Sequence, residues 1–308
     1  MDRVRSTTKK EQKMTTWKVS HIDAKKTLRA FLKEKLGEGY SVRKIKWNID
    51  HHLVSVNGKV ERHSTVKLVA GDVVDFNTKN ITDNTIEKKR ILYEDDAILA
   101  YDKPPRMTTM GKGLLEILRR KYRDLEPVHR LDRDTSGVVL FAKDKKYLEA
   151  MTQQFRDNIV EKVYWAVVDG VIKDESGIIE NRLAKIGENH GRAVWGKVAH
   201  GKEAVTRWRC IKTGRGASVV ECRPKTGRTH QIRVHLNGIG HPVLGDVHYG
   251  KRFRCRYRPS RVMLHAKKIS FKHPMIGDKI NITAPIPDDM KEAIRYTNCG
   301  MVQKGVTE

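Results

Sequence analysis

The chain has 308 residues, and its 62 lysines and arginines against 37 aspartates and glutamates give a formal charge of +25. Because such a charge repels itself in a compact state, it indicates a polyanionic partner; nucleic acid is the leading class, with an anionic membrane surface or simple solubility as alternatives. No apolar run approaches the roughly 18 residues of a membrane span, and the N-terminus lacks the apolar centre of a secretory signal. The four cysteines form no C-x-x-C pair, which argues against a zinc ribbon, so we expect a cytoplasmic protein with reduced thiols.

The first predicted elements form a small N-terminal module. Residues 1–19 are polar and have no apolar period, so we expect a flexible basic arm there, with order beginning near Ser20. Apolar residues at helical spacing between 24 and 36, with lysines and an arginine between them, predict an amphipathic helix with a basic outer face. Valines on both sides of Asn57-Gly58 predict a hairpin with a tight primed turn, and a turn at Gly71-Asp72 leads into the strand VVDF.

Three features occur together in residues 20–77: a basic helical pair, the hairpin VSVNGKV and a closing G-D-V-V strand. In this combination the segment resembles an S4 RNA-binding domain. The resemblance implies that RNA binds to basic side chains of the helices and the hairpin, which are Lys25, Lys26, Arg29, Arg43, Lys44, Lys46 and Lys59. A small α/β cap whose lysines are merely solvated is the alternative.

A polar segment, residues 78–89, is typical of a linker, and we expect a second domain over residues 90–296 and a tail over 297–308. Strand-like runs and two amphipathic helices alternate in this domain without a βαβ period and without a G-x-G-x-x-G motif. The pattern predicts an α+β fold around a mainly antiparallel or mixed sheet, and it argues against a doubly wound nucleotide-binding fold.

The stretch HRLDRDTSG, residues 129–137, is too polar for a core and lies directly before an apolar strand, where loops present functional groups. A carboxylate with guanidinium groups nearby is held ionised, which suits a nucleophile or a base. Asp132 and Asp134 are therefore candidates for chemistry. The alternative is that both are salt-bridged or capping acids of an ordinary loop.

A second polar stretch, RPKTGRTHQIRVHLNGIGHPVLGDVHYG, covers residues 223–250. Apolar residues within it fit one helical face, so Thr226 or Thr229 would lie at a helix N-terminus beside Lys225 and Arg228. Cations are unfavourable at the positive N-terminal end of a helix, so their placement there predicts a bound anion. That anion could be a ligand phosphate or the carboxylate of the first stretch. An ordinary exposed arginine at a helix start is the alternative.

Both stretches, together with D-K-P-P at residues 102–105, resemble the motifs of the RluA/RluC/RluD family of ribosomal large-subunit pseudouridine synthases. The match runs from about residue 20 to 290, and an N-terminal S4 module is a common arrangement in that family. The resemblance implies an isomerase that converts uridine to pseudouridine in RNA without a metal or cofactor.

The resemblance also implies roles for single residues. Asp132 corresponds to the essential aspartate, acting either as a nucleophile or as a base at C2′. Arg130 resembles the arginine that helps evert the target base, and Tyr164 the tyrosine that packs on the uracil and helps to remove the C5 proton. Arg228 resembles the basic residue that pairs with the aspartate, whereas Asp134 occupies a variable position.

We therefore expect a monomeric enzyme that acts on ribosomal RNA, free or in a pre-ribosomal particle, and that uses no nucleotide cofactor and no membrane. A non-catalytic RNA-binding assembly factor on the same fold is the main alternative. A nucleoside hydrolase, which needs two carboxyl groups, is another, because Asp132 and Asp134 are close enough in sequence to supply both. The histidines of the two stretches lack a metal-ligand spacing, so we interpret them as hydrogen-bonding scaffold.

Overall fold

The computed structural model describes residues 14–37, 40–50, 53–61, 63–77, 86–189, 192–250 and 252–296. The chain divides into two compact units, residues 1–84 and 85–308, and the boundary lies inside the segment predicted to be a linker. Within the described ranges, each helix is too short or too polar to cross a membrane.

The N-terminal unit is a small four-stranded sheet with two helices. Its elements are β1 (Met14–Lys18), α1 (Leu28–Leu36), α2 (Val42–Asp50), β2 (Val54–Val56), β3 (Lys59–Val60) and β4 (Val73–Asn77), and the strand order is β1-β4-β2-β3. The predicted hairpin is confirmed: β2 pairs with β3, and Asn57 and Gly58 both have positive φ, as a primed turn requires. Phe31, Leu32 and Phe76 are fully buried in its core.

Two predictions for this unit are wrong in detail. Regular structure begins at Met14 and not near Ser20, because β1 pairs antiparallel with β4. The centre of the Trp17 ring lies 6.4 Å from that of Phe31. An edge strand with one half-buried ring leaves little apolar pattern in the sequence, which explains the error. Lys25 and Lys26 lie in the turn before α1 and not on its outer face, since the helix begins after Thr27, whose hydroxyl accepts the Ala30 N–H. Residues 1–13 lie outside the described part.

The C-terminal unit is built on one large sheet. Its strands are β5 (Ile91–Glu94), β6 (Ile98–Lys103), β7 (Glu126–Pro127), β8 (Ser136–Ala142), β9 (Glu161–Asp169), β10 (Ser176–Asn189), β11 (Arg192–Lys197), β12 (Lys202–Gly214), β13 (Ala217–Pro224), β14 (Leu264–Lys272) and β15 (Lys279–Thr283). The main order is β11-β10-β12-β13-β9-β14-β8-β6-β5, with β15 on β14 and β7 on β8. Only β14 and β8 pair in parallel among the described strand pairs, so the predicted mainly antiparallel α+β fold is confirmed.

The α-helices in the described part of this unit are α3 (Leu114–Arg119), α4 (Lys145–Arg156), α5 (Gln231–Gly238) and α6 (Asp288–Tyr296). The two amphipathic helices expected in this domain correspond to α3, which has six residues, and α4, which has twelve. Strand β8 is buried along its whole length, and at Gly137, with φ +112°, a Cβ atom would come within 2.2 Å of the Ala266 carbonyl oxygen. Only glycine allows β8 to approach β14 so closely, and this approach fixes the end of the loop 129–135.

Candidate active site

The loop before β8 holds Asp132 in a half-buried position through backbone contacts on both sides. The Thr109 hydroxyl accepts the Leu131 N–H and donates to the Leu131 carbonyl oxygen, both at 3.1 Å. The Thr135 N–H donates to the Asp132 carbonyl oxygen at 3.1 Å. Leu131 is buried and Arg130 is exposed, so the loop places its apolar residue in the core and its first arginine at the surface.

Two buried cations hold the backbone that follows Asp132. Lys103, the lysine of D-K-P-P, is fully buried and donates to three carbonyl oxygens, including that of Arg133 at 3.1 Å. Burial lowers its pKa to about 7, against the opposite pull of the nearby carboxylates Asp134 and Asp132. Arg261 donates to the Asp134 carbonyl oxygen at 3.3 Å and forms a bidentate pair with Asp289 of α6. Lys103 and Arg261 therefore hold the loop backbone directly after Asp132 in place.

The guanidinium that faces Asp132 belongs to Arg233 of α5. Its Nη1 lies 3.5 Å from Asp132 Oδ2, and its Nε and Nη2 bind both carboxylate oxygens of the buried Asp246 at 2.7 and 2.8 Å. The Tyr249 ring packs against the same guanidinium, 5.0 Å from its centre. A shared arginine with its planar face covered has little freedom to move, so it is a fixed positive charge beside Asp132.

Arg228 does not make the predicted pair with Asp132. No ion pair among the described residues joins the two side chains, and the Arg228 Nε donates instead to the Glu203 carbonyl oxygen at 2.8 Å. Arg228 precedes α5, in a turn closed by the Gln231 side chain, which accepts the Arg228 N–H. Arg233 lies inside the helix, and it is that position which points at the loop. Arg233 was not predicted as a site residue. The acid Asp246 in G-D-V-H-Y-G was the one signal in the sequence, because an acid in that segment calls for a basic partner nearby.

His230 is the second group that faces Asp132, with Nε2 3.9 Å from Oδ2. Burial lowers the pKa of the His230 ring to about 4, and the nearby Asp132 carboxylate opposes this shift only in part. The ring is therefore neutral at pH 7. Tyr249 Oη accepts the Trp195 N–H at 3.1 Å and lies 2.7 Å from His230 Nδ1, so the phenol proton is available to Nδ1. If the phenol is the donor in this contact, the ring proton lies on Nε2, the nitrogen nearer the Asp132 carboxylate.

His230 also has φ +56°, in the left-handed region. Such a conformation is uncommon for a residue other than glycine and carries a cost that the surrounding contacts must offset. The predicted scaffold role thus understates this histidine, because the backbone is strained at the point that brings its ring to Asp132.

Tyr164 lies in β9 at a cleft that also contains the three other predicted residues, Asp132, Arg130 and Arg228. The cleft is small, about 90 Å³, and Lys162, two residues before Tyr164 on the same strand face, also lines it. Burial raises the pKa of the Tyr164 phenol, and the negative charge of Asp132 raises it further. Tyr164 therefore keeps its proton at neutral pH.

Asp132 is the one carboxylate among the described residues that line this cleft, and Asp134 is not at its wall. A larger surface concavity of about 240 Å³ lies elsewhere, between Arg207, Arg209 and Arg223 of β12 and β13. It contains none of the residues of the loop 129–135, so the smaller cleft is the candidate site.

The predicted RNA-binding residues of the N-terminal unit differ in their surroundings. Lys25, Arg29, Lys46 and Lys59 are exposed. Lys26 is instead half-buried and paired with Asp23 at 2.8 Å and Glu34 at 2.6 Å, so part of its charge is already compensated. The side chains of Arg43 and Lys44 lie outside the described part of the structure.

Comparison with known proteins gives a consistent result for both units. Residues 97–238 match the family model described as RNA pseudouridylate synthase, and residues 27–82 match an S4 domain. The chain is 35% identical over 259 residues to ribosomal large subunit pseudouridine synthase C of Vibrio vulnificus (strain CMCP6), covering 74% of this chain and 80% of the relative. It is 37% identical over 219 residues to the protein of the same name from Escherichia coli (strain K12), covering 67% and 69%.

Solved structures show the same fold. The human RNA pseudouridylate synthase domain containing 1 protein aligns with a TM-score of 0.56 at 29% identity, covering 63% of this chain and 82% of that one. The human domain containing 4 protein aligns with a TM-score of 0.58 at 24% identity, covering 68% and 93%.

Proposed function

The chain belongs to the RNA pseudouridylate synthase family and is an RNA pseudouridine synthase, and from this premise we propose that it modifies large-subunit ribosomal RNA with Asp132 as its single catalytic carboxylate. The observation that carries the assignment is the cleft itself. Asp132 is the one carboxylate among its described lining residues, and it faces both the guanidinium of Arg233 and the neutral imidazole of His230.

The reaction breaks the bond from N1 of uracil to C1′, turns the base and forms a bond from C5 to C1′. It changes no oxidation state and adds no external group, so one ionised carboxylate is sufficient, as a nucleophile or as a base at C2′. Arg233 attracts the negative charge of Asp132, and the His230 imidazole lies beside the same carboxylate oxygen, with Nε2 3.9 Å away. Both groups orient the carboxylate without the reorganisation that water would require.

Tyr164 supplies a face for the uracil. Because its pKa is raised, the phenol is protonated at neutral pH, and the ring can act as a stacking surface and a hydrogen-bond donor. The target base must leave the RNA stack before it reaches this ring, at a cost of about a few kcal/mol. Arg130 is exposed at the rim of the cleft, where its planar guanidinium can replace part of the lost stacking.

The arrangement disfavours a two-carboxylate hydrolase, since Asp134 does not line the cleft with Asp132. For the whole protein we propose a monomer that acts in the cytoplasm on ribosomal RNA, free or in a pre-ribosomal particle. The exposed basic side chains of the S4 domain would add affinity for RNA outside the target nucleotide.

A transcript of large-subunit ribosomal RNA tests the proposal. The full chain is expected to leave pseudouridine in it, detected by carbodiimide labelling and primer extension. Asp132→Asn is expected to abolish the product while RNA binding persists, and the matched control Asp134→Asn is expected to keep it. Binding without product in the wild type would favour an assembly factor, and release of free uracil would favour a hydrolase.

A further inference from the structure

Two cations at the cleft have no carboxylate partner among the described residues. Lys162 Nζ donates to the Thr226 carbonyl oxygen at 3.3 Å, and Arg228 Nε donates to the Glu203 carbonyl oxygen at 2.8 Å. Both residues line the cleft, and neither takes part in an ion pair within the described part of the chain. Arg228 is thus free of the partner expected for it and lies beside a second cation.

This pair is unfavourable as it stands. Lys162 is half-buried, with its ammonium 5.7 Å from the centre of the Phe155 ring. Burial lowers the pKa of Lys162 to about 8, and the positive charge of Arg228 contributes in the same direction. Two like charges that are partly removed from water cost free energy unless an anion lies between them.

The nearby acids do not supply this anion. The Asp132 carboxylate is paired with Arg233 and lies beside His230, and Glu203 contacts Arg228 through its backbone carbonyl oxygen. A negatively charged ligand would supply the charge that this pair lacks.

We propose that Lys162 and Arg228 together bind a phosphodiester group that flanks the target uridine. Arg228 keeps donors on its Nη atoms for two phosphate oxygens, and Lys162 adds a compact point charge. Lys162 and Tyr164 lie two residues apart on one face of β9, which is about 7 Å along a strand. A base that packs on Tyr164 therefore brings its own backbone to Lys162.

This inference rests on the proposed function, because it assigns the phosphate to the same RNA strand that enters the cleft. It gives Arg228 a role in holding the everted nucleotide, in place of the predicted role in holding Asp132. The pair should then affect the fit of the substrate more than the state of the carboxylate.

Synthetic RNAs test the contact directly. Each spans the uridine that the wild-type chain modifies and carries one methylphosphonate, which keeps the linkage but removes its charge. The neutral linkage is placed 5′ of the target, 3′ of the target, or several nucleotides away. Pseudouridine formation is measured for the full-length wild type, Lys162→Gln, Arg228→Gln and the control Lys225→Gln, whose exposed side chain is not at the cleft wall.

At one flanking position, the neutral linkage is expected to lower kcat/KM of the wild type about 10- to 100-fold, the range for a charge-assisted hydrogen bond. It is expected to have little further effect in Lys162→Gln and Arg228→Gln, and its full effect in Lys225→Gln. Lys162→Arg is expected to restore most of the sensitivity.

The inference would be overturned if, at both flanking positions, the neutral linkage lowered kcat/KM of Lys162→Gln and of Arg228→Gln by the same factor as that of the wild type. That outcome would leave the proposed function intact, because the wild type would still form pseudouridine. Absence of product from the wild type on the unmodified RNA would instead refute the proposed function.

Discussion

Replacing Arg233 with glutamine tests whether Asp132 depends on Arg233, its observed partner, or on Arg228, the partner predicted from the sequence. At 3.5 Å and an effective dielectric constant near 20, the attraction between the two charges is about 5 kcal/mol. This is an upper bound, because Asp246 already shares the guanidinium. If about half of it acts on Asp132, kcat/KM falls about 30- to 150-fold.

The substitution also has a structural effect that needs a control. Asp246 is 1% exposed, so Arg233→Gln alone leaves an unpaired buried carboxylate, at a cost of about 3–5 kcal/mol. The double variant Arg233→Gln/Asp246→Asn replaces the ion pair with two neutral amides. It is expected to recover much of the lost thermal stability but not the activity.

The assay is pseudouridine formation at saturating and limiting RNA, with melting temperatures measured in parallel. Arg228→Gln is the matched comparison, and it is expected to raise KM while kcat changes only a few-fold. If Arg233→Gln kept kcat within threefold of the wild type and Arg228→Gln abolished it, the observed pairing would not be the functional one.

Three further predictions follow from single contacts. Tyr249→Phe removes the donor to Nδ1 of His230, and we expect kcat to fall about tenfold with RNA affinity unchanged; an unchanged kcat would refute the proton assignment. Because Lys162 is cationic below its pKa of about 8 and neutral above it, KM should rise as pH increases through that value, and Lys162→Arg should abolish the rise. Arg29→Gln is expected to lower the slope of log affinity against log salt by about 0.7, whereas Lys26→Gln, already paired with acids, is expected to change it less.

Local patterns predicted much of the fold. The dipeptide Asn57-Gly58 needs only its own backbone preference to form a turn. The strand 138–142 is buried because all of its residues are apolar. Strand Met14–Lys18 was missed because its stability comes from pairing with β4, fifty-five or more residues away in sequence, and not from its own apolar pattern.

The candidate site was predicted as a set of segments but not as a set of contacts. The loop with Asp132 and the segment 223–250 do meet, yet the arginine that reaches the aspartate is Arg233 and not Arg228. The two arginines are five positions apart, and which of them points at the loop depends on where α5 begins. The position of a helix start is the least certain part of a sequence-based prediction, because several N-terminal residues can serve as its cap.

Nucleotide-resolution mapping of pseudouridine in large-subunit ribosomal RNA tests the central claim most directly. Cells lacking the gene are compared with cells that express either the wild-type chain or Asp132→Asn at equal levels. We predict at least one pseudouridine that the wild type restores and Asp132→Asn does not. Restoration of that pseudouridine by Asp132→Asn would contradict the assignment of Asp132 as the catalytic carboxylate.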